Sequence, residues 1–168
     1  MGARDSVLTG ASGEHYVLYK LHRLGLLAAQ ASPNAYAADI LVFSPGMLVG
    51  SMVQVKTRTV GRDQGWHMRE KHQDLVRPRL FYALVDLEPD IPVVYVVPSA
   101  VVADVLTRSH RTWLGTPGVH GQQHQNTPMR RLLAEFPFPV SGAAPGWLDE
   151  YRERWEYLTA DAVKQAVG

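Results

Sequence analysis

The sequence predicts an α/β protein, an α/β sandwich in which helices pack on a mixed sheet. Three observations lead there. The chain opens on a segment of helical period, then passes through three runs rich in β-branched residues separated by turn signals, and a second helical segment follows two further strand-like runs. Its 168 residues, 46% hydrophobic and 20% charged, suit one folded domain spanning 1–168 rather than a disordered or fibrous chain.

The elements follow in order. Over 9–24, Val17, Leu18, Leu21 and Leu24 recur at helical spacing and Gly25 is a natural stop. The runs 26–31 and 36–43 read as strands divided by Ser32-Pro33-Asn34, and Ser44-Pro45-Gly46 turns the chain into a long strand over 48–60. In that strand Val53, Val55 and Thr57 share one face and Gln54, Lys56 and Arg58 the other, because successive side chains alternate. The segment 61–78 is polar and rich in breakers, with a short helix over 70–76; 80–87 and 93–97 read as buried strands. Ser99 caps a helix over 100–106, and 109–128 reads as a loop long enough to be functional. From Pro145 a C-terminal helix is expected, its stripe of Trp147, Leu148, Tyr151, Trp155 and Leu158 packing on the core or on a second subunit.

Composition removes several classes of function. With no Cys there are no disulfides, thiolate zinc sites or cysteine nucleophiles, so a metal would take oxygen or imidazole ligands. No run approaches the roughly 18 apolar residues of a membrane span. The first eight residues carry Arg4 and Asp5 and no secretory apolar run, which makes the cytoplasm the expected location. A net charge of +1 excludes a uniformly basic coat, yet seven bases against three acids lie between Gln54 and Arg79, a local excess of four. That stretch contains Lys56, Arg58, Arg62, Arg69 and Lys71, candidates for phosphate contacts; an ordinary solvated face is the alternative. Gly10-Ala11-Ser12-Gly13 is no phosphate loop, since neither a preceding strand nor a following Gly-Lys accompanies it.

The residues that stand out chemically are Glu14, Asp39 and Gln54-Val55-Lys56. Glu14 shares the inward stripe of Val17, Leu18 and Leu21, where a carboxylate is costly unless compensated; a first-turn position favoured by the helix dipole is the competing account. Asp39 precedes four apolar residues, a place where Asp is depleted unless paired or employed. Oxygen donors from Glu14, Asp39 and Gln54 around one point suit a hard divalent cation, and an adjacent Lys56 suits phosphate charge. A simple Asp39–Lys56 ion pair between strands is the alternative. His120-x₃-His124 sits among Gly and Gln with no carboxylate to complete a zinc shell, so it reads as polar loop. His67 and His72, and His110, Arg111, Arg130 and Arg131, are further candidates for a nucleic-acid surface, with nothing to select among them.

Glu14 in the first helix, Asp39 after the turn and Gln54-Val55-Lys56 fifteen residues later resemble the PD-(D/E)xK nuclease superfamily, in particular Holliday junction resolvase-like and Mrr-type restriction endonuclease-like proteins. The resemblance covers about 9–106 and leaves 107–168 as an extension. It implies a restriction endonuclease-like α-β-β-β-α-β core and a metal-dependent endonuclease that hydrolyses phosphodiester bonds, most naturally in DNA. It further implies Mg²⁺ or Mn²⁺ held by Asp39, Gln54, Glu14 and the Val55 carbonyl, with Lys56 as the catalytic lysine. Ala38 stands where many members have Pro, and Gln54 replaces the usual acid, which removes one negative charge from the metal site and makes Glu14 more important. A homodimer is a further implication, since cutting two strands suits two sites. A noncatalytic nuclease-fold module that binds DNA or a protein partner is the second hypothesis, motivated by Gln54 and the unexplained C-terminal third.

Overall fold

The structure is a computed structural model that describes residues 3–32, 35, 37–44, 46, 50–59 and 65–159. The chain forms α1 (Ala3–Arg23), β1 (Leu27–Gln30), β2 (Ile40–Phe43), β3 (Ser51–Arg58), β4 (Gly65–Arg69), α2 (Lys71–Asp74), β5 (Leu80–Asp86), β6 (Val93–Pro98), α3 (Ser99–Gly115) and β7 (Met129–Leu133). Five strands make a mixed sheet in the order β1-β2-β3-β5-β6, with β3 and β5 parallel and the other pairs antiparallel. Helices cover both faces, the α/β architecture expected from the sequence.

Burial follows the alternation of the strands. Val53 and Val55 point with Ile40, Val42, Phe81, Ala83 and Val85 to the face covered by Val17 and Leu21 of α1. Tyr82, Leu84 and Val97 point the other way, against Val102, Val105 and Leu106 of α3. All seven residues of β5 are buried, as a central strand covered on both faces requires.

Several elements differ from the sequence expectation, each for a visible reason. The polar segment 61–78 contributes β4, which pairs antiparallel with β7; five residues each, with Trp66, Met68 and Leu132 inward, they form a ribbon lying over the α3 face. The helix expected over 100–106 runs on to Gly115, so the expected loop over 109–128 shortens at its start. Thr107 and Thr112 donate their hydroxyls to the carbonyls of Ala103 (2.8 Å) and Arg108 (3.0 Å), local bonds compatible with a continuing helix. Ser99 does not cap that helix: its hydroxyl accepts from the Arg77 N–H and donates to the Arg77 carbonyl. The strand expected over 36–43 begins at Ile40, leaving Asp39 just outside it; Met47, Leu48, Val49 and Val60 of the expected strand 48–60 lie outside the described residues.

The C-terminal helix is replaced by two short 3₁₀ turns, Asp149–Tyr151 and Trp155–Leu158. A straight helix is impossible because the aromatic stripe serves two cores: Trp147 and Leu148 join the α3 face, whereas Trp155 and Leu158 join the α1 face. Between them the chain rounds the edge of β6, where Arg152 bridges Tyr95 and Glu153 takes a left-handed φ of 53°. The stripe is core packing rather than a subunit contact.

Candidate active site

The site arises where β2 ends before β3 does. β2 pairs with β3 only over Ser51, Met52 and Val53, so the backbone of β3 beyond that point needs another partner on this edge. Asp39 supplies it. Its own N–H donates to the Val53 carbonyl (2.9 Å) and its carbonyl accepts from the Ala31 N–H (2.8 Å), which locks its main chain between β1 and β3. Its Oδ2 then accepts the Val55 N–H at 2.7 Å and a second bond from the Gln54 carboxamide. A short polar side chain is required here because it takes the place of the missing strand. The Asp39–Lys56 ion pair is not the arrangement adopted: among the described residues Asp39 spends its hydrogen bonds on Val55 and Gln54.

Gln54 is 9% exposed and sits in register with Tyr82, while Lys56 is in register with Leu84. Glu14 enters from α1. A Cβ on Gly13 would overlap the Thr57 hydroxyl, so glycine is what lets the helix approach β3 closely enough to bring the next residue in. Glu14 accepts from Gln30 Nε2 at 3.3 Å. Burial first, and then the negative charge of Asp39, push its carboxyl above the ordinary value, partly offset by Gln30, His15 and Lys56. Burial likewise pulls Lys56 below the ordinary lysine value, with Lys71 adding to the shift and Asp39 and Glu14 opposing it. Glu14, Asp39, Gln54 and Lys56 are therefore one electrostatic unit.

The Glu14 and Asp39 carboxylates, the Gln54 carboxamide and the adjacent backbone form an oxygen-rich donor set that suits a hard cation. Among the described residues no three His, Cys, Asp or Glu side chains are grouped so as to hold a metal ion.

Beneath this unit lie His72, one of several histidine candidates in the sequence, and Tyr82, which the sequence did not single out. His72 is 3% exposed and its Nδ1 is 2.8 Å from the Tyr82 hydroxyl. Burial, followed by the charges of Lys56, Lys71 and Arg69, pushes the imidazole down to about 4, and burial with the Asp39 charge raises the Tyr82 phenol. His72 was among the histidines of the basic segment, and Tyr82 is the polar member of an otherwise apolar run; only the crossover from β3 to β5 brings them under Lys56.

The basic residues divide. Arg69 and Lys71 are exposed, and the Lys71 charge reaches Lys56, so they rim the site. Arg58 instead faces into the fold, paired with Asp86 at 2.5 Å with its guanidinium 4.5 Å from the Trp66 ring centroid. Arg62 lies outside the described residues.

No protein-family model matches the chain, and no curated protein matches its sequence. Among solved structures, the fold is similar to that of a bacterial homing endonuclease, I-Ssp6803I, with a TM-score of 0.53 and 14% identity over 100% of both chains. At that identity the likeness is one of fold: a five-stranded mixed sheet with flanking helices.

Proposed function

We propose that the protein is a metal-dependent endonuclease acting on DNA, with a PD-(D/E)xK-type site in its QxK form. The observation that carries this reading is the convergence of Asp39, Gln54 and Glu14 beside a half-buried Lys56, at the point where β2 and β3 part. The likeness to an endonuclease fold supports it.

In this reading Asp39, Glu14, the Val55 carbonyl and, with its amide reversed, the Gln54 carboxamide oxygen would hold Mg²⁺ or Mn²⁺. When bound, the ion supplies Lewis-acid polarisation of a phosphate oxygen and a more acidic water. The chain does the rest. Lys56, in a water-poor setting, stabilises the charge that builds on the phosphorus oxygens as water attacks and the P–O bond to the leaving oxygen breaks. The neutral His72–Tyr82 pair supports it from below without adding charge. Arg69 and Lys71 neutralise flanking phosphates.

The test is cleavage of linear, branched and single-stranded DNA with Mg²⁺ or Mn²⁺. Asp39→Asn and Lys56→Ala should each lose about a hundredfold or more in rate while keeping the wild-type melting temperature. Failure of the wild type to cut any of these substrates, or full activity in both variants, sinks the catalytic assignment. One observation favours a second reading, a noncatalytic DNA-binding module: the Gln54 carboxamide already satisfies Asp39. Binding without cutting would select it.

A further inference from the structure

A concavity of about 420 Å³ lies across the outer face of the β4–β7 ribbon. Its floor carries His67 and Arg131, which stand opposite each other in register and point away from the core. One wall comes from the extended end of α3, where Trp113 stacks on His110 with ring centroids 5.5 Å apart and 25° between planes. Trp113 is also stacked on His124 at 4.0 Å, and His110 Nε2 lies 2.9 Å from Asn126 Oδ1, so this wall is held in place by the loop that follows. Phe136 and Phe138, 6.0 Å apart on the chain leaving β7 and partly packed on the core, also line it. No carboxylate lines the cleft among the described residues.

The lining combines aromatic surface with cationic and imidazole groups, and an anionic chain that carries flat rings is the ligand that uses all three. Paired bases in a duplex hide their faces in the stack; unpaired ones present them. Basic residues of the ribbon and of α2 lead from the cleft toward the candidate active site. Arg69 shares the outer ribbon face with His67, Lys71 follows it, and the charges of both reach His72 beneath Lys56. Arg130, buried at the base of β7, bonds to Gln73 of α2 at 2.7 Å and fixes the ribbon to that rim.

We infer that this cleft binds unpaired nucleotides of a DNA strand whose neighbouring phosphates cross Arg69 and Lys71 to the site at Asp39. The inference rests on the nuclease reading and narrows its substrate to DNA with a single-stranded segment, such as a fork, flap or bubble. A base held against the aromatic lining of the cleft orients the strand relative to Lys56, and a fully paired duplex lacks that contact.

Fluorescence anisotropy of the full chain in EDTA tests this with labelled oligodeoxythymidine of about a dozen nucleotides and a duplex of equal length. Trp113→Ala and Phe138→Ala should each weaken oligodeoxythymidine binding by about tenfold and leave duplex binding within about twofold. Variants that melt like the wild type yet bind oligodeoxythymidine unchanged overturn the proposal. Photocrosslinking of the wild type to an oligonucleotide carrying 5-iododeoxyuridine removes any dependence on how the variants fold. Adducts on peptides containing Trp113, Phe136 or Phe138 support the cleft, and adducts confined to other peptides overturn it. The two readings fail separately. Asp39-dependent cleavage with no cleft adducts removes only the cleft, and cleft adducts in a protein that cuts nothing remove only the catalysis.

Discussion

His72 illustrates what a single buried side chain costs and where its effect is read. Its imidazole titrates near 6.5 when unfolded and near 4 in the fold, so between those values the unfolded chain binds more protons than the folded one. Stability contributed by the neutral ring is therefore complete above about pH 6.5 and is lost as the pH falls toward 4, an effect on the order of 3 kcal/mol. Urea unfolding near both pH values should show this loss in the wild type, and a smaller one in His72→Asn, which keeps a polar partner for Tyr82 but does not charge. Equal acid sensitivity of the two proteins would contradict the assignment. At this scale the sequence was informative where a residue broke a local rule. Asp39 ahead of an apolar strand breaks the usual composition of strands, Gln54 and Lys56 mark the polar face of the next strand by alternating with Val53 and Val55, and the structure brings Asp39 and Gln54 together. His72 and Tyr82 break no rule. Their pairing depends on the β3-to-β5 crossover, which no local pattern encodes.

Among the elements, α1 and β3 are coupled through one missing methyl group. Ala in place of Gly within a helix ordinarily stabilises by about 1 kcal/mol. At Gly13 the added carbon would collide with the Thr57 side chain, so Gly13→Ala should instead destabilise by about 1–3 kcal/mol. Adding Thr57→Ala should recover part of the loss, because the Thr57 hydroxyl has no hydrogen-bond partner to forfeit. A double-mutant cycle by chemical denaturation measures the coupling, and strict additivity would contradict it. Element types were legible where period and burial agreed, as in α1, β5 and β6. They were obscured in β4 and β7, whose five residues alternate too briefly and whose inward set includes Arg130, satisfied by Gln73 and by backbone carbonyls. The C-terminal stripe had the right residues but the wrong shape, since helical spacing cannot reveal that its two halves belong to opposite faces of a sheet.

Over the whole molecule, near-neutrality conceals a polarised surface. The net charge is +1, yet Arg69 and Lys71 crowd the candidate site and Arg131 extends the basic face along the ribbon. For the proposed DNA complex, replacing Arg69 and Lys71 together by Ala should weaken duplex binding and flatten the log affinity against log salt slope by about 2, close to one per lost phosphate contact. A slope equal to that of the wild type would place the contacts elsewhere. The path of the C-terminal chain around β6 has a different consequence. The Glu153 N–H donates to the Val94 carbonyl at 2.8 Å, and its carboxylate accepts the Val94 N–H at 3.0 Å, so that margin of the sheet is already hydrogen-bonded. The other margin is β1, four residues long, with Leu27 70% exposed. Strand addition at β1 is then self-limiting within this sheet. Two chains joined β1 to β1 about a twofold axis would use up that margin in both, so among the described residues of the five-stranded sheet this route closes at a pair.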